Sequence, residues 1–155
     1  MSQTPAAAPR PTSVPPLIVT QDNEFWFAGA REGRLLIQRC SDCGTLRHPP
    51  GPACPRCHSF EWDSIESSRR GTLHSWTVVH KPQDPGFRYP LVVGLVDLAE
   101  GTRLVADFAD FDDLDGGDAV DVGRLRIDMP VEVVFGEHPH GETLPRLRLL
   151  AEEDA

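Results

Sequence analysis

Two Cys-x-x-Cys motifs, separated by ten residues, contain every cysteine of this 155-residue chain. They are Cys40-Ser-Asp-Cys43 and Cys54-Pro-Arg-Cys57. Each motif lets two thiolates converge on one ion, and the two together complete the closed tetrahedral shell of a structural Zn²⁺. Gly44 can adopt the left-handed backbone that such a knuckle often needs. Because a four-thiolate shell leaves no position for water or substrate, these residues predict a rubredoxin-like zinc ribbon that has a structural role.

Other interpretations of these cysteines are weaker. Two disulfides would suit a secreted chain, but residues 1–16 hold no apolar stretch typical of a signal peptide, so we expect a reducing, cytoplasmic location. Iron stays open as an alternative to zinc, because ligand type alone does not separate the two metals in a four-thiolate site. His48 and His58 lie close to the motifs and could replace a thiolate, but four thiolates already satisfy the metal.

The elements around these motifs follow from composition and pattern. Five prolines in residues 1–16 predict a disordered leader. Residues 17–34 predict a helical segment in which Thr20 caps a helix, acidic residues occupy the first turn and Gly33 ends it. The zinc ribbon is expected over residues 35–66.

Three consecutive aromatic residues, Phe25, Trp26 and Phe27, lie inside the predicted helix. Successive helical residues point about 100° apart, so one flat core face cannot cover all three rings. We therefore expect that the helix lies in a cleft between two layers, or that another chain or a ligand covers part of this aromatic surface.

The second half of the chain predicts a mainly β domain over residues 67–151. The run at residues 91–98 is almost continuously apolar, which predicts burial on both faces. Five short strand-like runs with turn signals between them fit a small five-stranded barrel of the OB-fold class. These runs are residues 73–79, 91–98, 104–108, 131–135 and 147–150.

The charge of the chain disfavours nucleic acid as a partner. The formal net charge is −9, and the stretch from Asp97 to Asp121 holds nine acidic residues against Arg103 alone. Binding to nucleic acid depends on neutralising phosphates, and single-strand binding by an OB-fold also needs stacking aromatics on its strands. No apolar run is long enough for a membrane span. A free-standing OB-fold module for single-stranded nucleic acid or another ligand remains the alternative function.

Several short motifs accompany the two cysteine motifs along the chain. They are Asn23-Glu-Phe-Trp26, Gly33-Arg-Leu35, Gln38-Arg-Cys40, Met129-Pro-Val-Glu-Val-Val-Phe135 and Leu144-Pro-Arg146. In this order, the motifs resemble a known family, the acyl-CoA-associated zinc-ribbon/OB-fold proteins of domain-of-unknown-function family thirty-five. The resemblance covers about residues 18 to 150. The chain differs from the family pattern in a longer, more acidic stretch at residues 110–124, and in Leu147, where an aromatic residue is more usual.

The resemblance implies a hetero-oligomer with a thiolase-fold, lipid-transfer-protein-like subunit. Such complexes include acyl-CoA condensing enzymes and retro-aldolases that shorten CoA-linked steroid side chains. Their catalytic residues lie largely in the thiolase-fold chain, and the zinc-ribbon/OB chain provides an interface and part of the acyl-CoA channel. The chain is accordingly expected to be a non-catalytic accessory subunit, with a CoA thioester as a shared ligand.

No catalytic residue is assigned, because the six histidines form no metal or triad pattern and no serine lies in a nucleophile elbow. The loop between the first two barrel strands combines cations and aromatics, so it is a candidate wall of the channel, with Lys81 or Arg88 near CoA phosphates. The candidate channel or interface residues are Phe25, Trp26, Phe27, Lys81, Phe87, Arg88 and Tyr89.

Overall fold

A computed structural model describes residues 16–84, 87, 89–109, 120–138 and 140–150. Within these ranges, no helix combines the length and apolar character that a bilayer span requires. A short 3₁₀ turn, Val122–Arg124, precedes the seventh strand. The helix and strands are α1 (Glu24–Arg31), β1 (Leu36–Cys40), β2 (Leu46–Arg47), β3 (Trp62–Glu66), β4 (Arg70–Val79), β5 (Leu91–Leu98), β6 (Arg103–Asp107), β7 (Pro130–Glu137) and β8 (Thr143–Leu149).

The first sheet is a three-stranded antiparallel ribbon with strand order β2-β1-β3. Gln38 of β1 lies opposite Arg47 of β2, and Cys40 at the end of β1 lies opposite Trp62 of β3. Ile37 is 1% exposed and belongs to the same core as the second sheet. The ribbon therefore supplies part of the main core as well as the cysteine motifs.

The second sheet has five antiparallel strands in the order β6-β5-β4-β7-β8. Just after β6, Phe108 bridges to Leu147 of β8, and the Ala109 N–H donates to the Leu147 carbonyl at 2.9 Å. These contacts bring the two edge strands together, so the sheet is a nearly closed barrel. The prediction of a mainly β chain with one helix, a ribbon and a five-stranded barrel is confirmed. The predicted domain boundaries stay predictions.

The barrel core depends on close packing between β5 and β8. Leu147 is completely buried, and a Cβ atom on Gly94 of β5 would lie 2.6 Å from its Cδ1. The prediction that β5 is buried on both faces is wrong. Its residues alternate between buried and half-buried positions, because an antiparallel barrel strand has only one face toward the core.

The helix is shorter than predicted. It begins at Glu24, not near Thr20, and its N-cap is Asn23. The Asn23 side-chain oxygen accepts a hydrogen bond from the Thr20 N–H at 2.6 Å, and the Glu24 N–H donates to the Thr20 carbonyl. These bonds form a turn before the helix, so Thr20 is not the cap. Gly33, with φ of 73°, follows the end of the helix as predicted.

Candidate functional site

The two cysteine motifs form equivalent backbone knuckles. In the first, the Gly44 N–H donates to the Cys40 carbonyl at 2.9 Å, and in the second the His58 N–H donates to the Cys54 carbonyl at 2.9 Å. Gly44 has φ of 72° and His58 has φ of 62°, so both residues adopt the left-handed conformation. Each knuckle thereby turns its two sulfurs toward the other knuckle.

The four sulfurs converge on one point between the knuckles, and all lie within 4.8 Å of one another. The Cys40 and Cys57 sulfurs are 3.5 Å apart, and those of Cys43 and Cys54 are 3.6 Å apart. Zn–S bonds of about 2.3 Å in a tetrahedron place sulfurs about 3.8 Å apart, whereas a disulfide requires about 2.05 Å. The donor set therefore fits a four-thiolate zinc site and excludes disulfide pairing within this geometry.

The sulfurs of the site differ in how readily they ionise. The Thr45 hydroxyl, 3.1 Å from the Cys43 sulfur, lowers the pKa of that thiol to about 6. The backbone N–H of Ser59 favours the Cys57 thiolate, but the sulfurs of Cys43 and Cys40 outweigh it and raise the pKa of Cys57 to about 12. A bound divalent cation would stabilise all four sulfurs as thiolates.

The neighbouring histidines do not join the sulfurs. Among the described residues, the metal-ligand cluster contains only the four cysteines. His58 is exposed at its knuckle turn. His48 lies 5.7 Å from the Trp26 ring, and burial lowers the pKa of its imidazole. His48 thus packs against α1, as expected for a residue that does not bind the metal.

Helix α1 lies between the ribbon and the barrel and contacts both β1 and β8. Each of its three aromatic rings has a different environment. Phe27 is buried, the Trp26 ring meets it edge-on at 5.0 Å, and the Phe25 ring lies 4.7 Å from Trp62 of β3. The expectation of a cleft between two layers accounts for Phe27 and Trp26, while Phe25 extends to the ribbon surface.

Two further exposed aromatic residues, one of them in contact with Phe25, were not among the predicted site residues. Phe60 is 72% exposed and Trp62 is 36% exposed. We call Phe25, Phe60 and Trp62 the aromatic surface. The sequence does contain a signal for this pair. Phe60 and Trp62 flank Glu61, and alternate residues of an extended segment share one side, so the two rings could have been predicted to lie on the same face.

The candidate channel loop is described in part. Lys81 is exposed, and Phe87 is 39% exposed. The Tyr89 hydroxyl accepts a hydrogen bond from the Asp84 N–H at 3.1 Å, so the tyrosine organises the loop backbone. Arg88 lies outside the described residues. The role of this loop in an acyl-CoA channel stays a prediction.

Fold and site together define a zinc-ribbon/OB-fold protein. Residues 27–63 match the family model described as ChsH2, rubredoxin-like zinc ribbon domain, and residues 64–136 match ChsH2, C-terminal OB-fold domain. The chain belongs to this family, which is the DUF35 family that the sequence resembles.

Relatives of the chain include subunits of acyl-CoA enzymes. It is 45% identical to a probable enoyl-CoA hydratase alpha subunit of Thermomonospora curvata over 92% of this chain and 40% of that protein. The chain thus spans only two fifths of the length of that relative. It is 34% identical to the benzoylsuccinyl-CoA thiolase subunit BbsA of Thauera aromatica, over 70% of this chain and 68% of that subunit.

A solved structure is also similar. A chain of the Ltp2-ChsH2(DUF35) aldolase superposes with a TM-score of 0.75 at 42% identity. The superposition covers 86% of this chain and 98% of that chain. The zinc ribbon, helix and barrel therefore have a counterpart in the structure of an aldolase.

Proposed function

We propose that this chain is the accessory subunit of an acyl-CoA enzyme complex, in which it binds a thiolase-fold subunit. The observation that carries the proposal is the similarity over 98% of a chain from an Ltp2-ChsH2 aldolase. The thiolase subunit BbsA, with 34% identity, supports the same assignment. Between these two reactions, the aldolase is favoured over the thiolase because its chain has the higher identity and coverage, and the hydratase alpha subunit, at 45% identity, is matched over only 40% of its length.

The metal centre has no catalytic part in this function. Cys40, Cys43, Cys54 and Cys57 would hold Zn²⁺, and a four-thiolate ion supplies folding free energy without an open coordination position. The buried sulfurs of Cys40 and Cys54 anchor the site to the inside of the ribbon. The role of these residues is to hold the ribbon in the arrangement that supports α1 and β3.

The aromatic surface is the proposed site of contact with the partner. Phe60 and Trp62 expose large apolar side chains, and aromatic residues are enriched in the buried centres of protein interfaces. Arg39 and Asp63, on strands β1 and β3, form a two-bond ion pair with distances of 2.8 and 2.6 Å. Asp63 follows Trp62 on β3, so this ion pair lies on the opposite face of the ribbon and leaves the aromatic side chains as the centre of the proposed contact.

A CoA thioester is the proposed shared ligand, and the loop that contains Lys81, Phe87 and Tyr89 is its proposed contact. An exposed ammonium group can bind a phosphate as a point charge, and an exposed ring can pack against the acyl or pantetheine chain. Lys81→Ala is expected to raise KM for the CoA substrate of the assembled complex, while kcat changes little.

The test of the proposed function is co-expression with a candidate thiolase-fold subunit, followed by size-exclusion chromatography with light scattering. We expect a stable hetero-oligomer whose lyase or thiolase activity exceeds that of the partner alone. A chain that remains separate from every such partner, and adds no activity to any of them, would contradict the proposal. Salt-sensitive binding to a single-stranded oligonucleotide would favour the OB-fold binding module instead.

A further inference from the structure

Arg47 of β2 is a buried cation that lacks a carboxylate partner. It is 9% exposed, and its Nη1 and Nη2 atoms are buried without a hydrogen-bond partner among the described residues. Its Nε–H donates to the Gln38 side-chain oxygen at 2.6 Å. The Gly51 N–H donates to the same oxygen at 2.9 Å. Gln38 satisfies one N–H group of the guanidinium but cancels none of its charge.

A buried charge without a counter-charge is strongly unfavourable, because the ion loses its hydration and gains no compensating attraction. A stable position for Arg47 therefore requires a negative charge nearby. The ion pairs of the ribbon do not provide it, because Arg39–Asp63 and Arg34–Glu66 use their carboxylates on exposed arginines.

The strand register places the cysteine site next to Arg47. Gln38 lies directly opposite Arg47, and Cys40 is the next residue of β1 on the same side as Gln38. Two residues along a strand correspond to about 7 Å. Gly51, which shares the Gln38 oxygen, comes three residues before Cys54. The Gln38–Arg47 pair is thus two strand positions from Cys40, where the first knuckle begins.

A four-thiolate site that holds one Zn²⁺ carries a net charge of about −2. We infer that Arg47 is the buried counter-cation of this metal centre. The anionic centre stabilises the guanidinium in its buried position, and the guanidinium in turn lowers the electrostatic free energy of the clustered thiolates. Metal binding and burial of Arg47 are then coupled reciprocally.

This coupling extends to the helix. His48, the residue after Arg47, packs against the Trp26 ring at 5.7 Å, and the buried Trp26 Nε1 has no hydrogen-bond partner among the described residues. Loss of the metal leaves Arg47 without a counter-charge and favours its movement toward solvent. Such movement would disturb β2 and the contact between His48 and α1, so metal occupancy controls how firmly α1 is held.

The first test compares zinc dissociation constants by competition with a chromophoric chelator. Arg47→Met is expected to weaken zinc binding about tenfold or more, as removal of a supporting residue does in other metal sites. Arg47→Lys keeps the charge and should stay within about threefold of the natural protein. Arg39→Met is the matched control, because it removes the same charge from β1 at an exposed position beside Cys40. Equal zinc affinity of Arg47→Met and Arg39→Met would overturn the inference.

A second variant gives a result even if Arg47→Met does not fold. Gln38→Glu keeps an oxygen acceptor for Arg47 and Gly51 but adds a carboxylate as a substitute counter-charge. This variant should raise the unfolding midpoint of the metal-free protein, and zinc should then raise that midpoint by less than it does in the natural protein. Zinc binding should weaken about tenfold. A metal-free midpoint that does not rise would contradict the inference. The natural metal-free protein should also be unfolded in chloride and in other salts at constant ionic strength. If chloride alone raises its unfolding midpoint, the counter-charge of Arg47 is a bound anion and the inference is overturned.

Discussion

At the residue scale, Gly44 and His58 perform the same task with very different side chains. Both adopt positive φ at the turn of a knuckle, and both donate a backbone N–H to the carbonyl of the first cysteine of their motif. Glycine adopts this conformation without strain, whereas a residue with a Cβ atom does so at a cost of about 1 kcal/mol or more. The geometry that orients the sulfurs therefore depends on backbone conformation as much as on the cysteines.

A pair of glycine substitutions isolates this backbone effect. A Cβ atom would meet nothing within 4 Å at Gly44 or at Gly51, but only Gly44 has a positive φ. Gly44→Ala should therefore lower the free energy of unfolding by about 1–2 kcal/mol, and Gly51→Ala should leave it nearly unchanged. Chemical denaturation of the zinc-loaded proteins measures both. Equal effects of the two substitutions would show that φ at Gly44 is not the cause.

Cys40 tests the dependence of the fold on the metal. Its sulfur is buried and lies 3.5 Å from that of Cys57. Cys40→Ser removes a thiolate from the closed shell, so bound zinc should fall from about one equivalent to almost none and the unfolding midpoint should fall well below that of the zinc-loaded natural protein. Zinc analysis and circular dichroism measure the two effects. A variant without zinc that keeps the natural unfolding midpoint would show that the metal does not support folding.

At the element scale, the barrel depends on the close approach of β5 and β8. A Cβ atom on Gly94 would lie 2.6 Å from Leu147 Cδ1, 3.1 Å from Phe108 Cε2 and 3.2 Å from Leu73 Cδ1. Gly94→Ala is expected to destabilise the protein by about 1–3 kcal/mol, because these core side chains cannot move aside. Thermal unfolding measures the change.

Gly136→Ala is the control for this overpacking. Its Cβ atom would also be close to a side chain, at 2.8 Å from Arg146 Nε, but that side chain is long and can adopt another rotamer. We expect a smaller loss of stability than for Gly94→Ala. If Gly94→Ala proves no worse than Gly136→Ala, the core at β5 can rearrange and the barrel is less tightly packed than the contacts indicate.

Strand β7 carries a carboxylate that makes stability depend on pH. Glu132 accepts a hydrogen bond from Arg148 of β8 at 2.6 Å, which lowers the pKa of that carboxyl group. Its ionised form therefore stabilises the fold above the ordinary glutamate pKa of about 4.3, and this contribution is lost as pH falls through the lower, folded-state pKa. Arg148 is partly exposed, with 37% of its side chain accessible, which reduces the contribution.

Glu132→Gln should be less stable than the natural protein by about 1 kcal/mol at pH 7, and the difference should shrink toward pH 3. Denaturation at a series of pH values measures this difference. Glu137→Gln, at an exposed position of the same strand, serves as the control and should show no comparable convergence. A constant difference across the pH range would exclude ionised Glu132 as its source.

At the scale of the whole molecule, hydrophobic patterning predicted most of the fold and cysteine spacing predicted the metal site. The run at residues 91–98 matches β5, because turn-forming residues on both sides limit a continuous apolar stretch. Alternation could have paired Phe60 with Trp62, but neither the exposure of Phe60 nor the burial of Arg47 could be predicted, since residue type alone assigns aromatics to the interior and cations to solvent. Both residues depart from that rule at places where we propose that a partner or the metal centre supplies the missing contact.

The aromatic surface leads to a prediction about assembly. Phe60 and Val105 are similarly exposed, at 72% and 64%, but Val105 lies on β6 of the barrel sheet and Phe60 precedes β3 of the ribbon. Phe60→Arg should reduce the amount of thiolase-fold partner that co-purifies by about tenfold or more, because a desolvated aromatic contact in an interface centre commonly contributes over 1.4 kcal/mol. Val105→Arg introduces the same charge and should leave assembly nearly unchanged.

Both variants should keep the natural unfolding midpoint, which separates an interface effect from misfolding. If Val105→Arg prevents assembly and Phe60→Arg does not, the partner binds the barrel face, and the ribbon serves only to support α1.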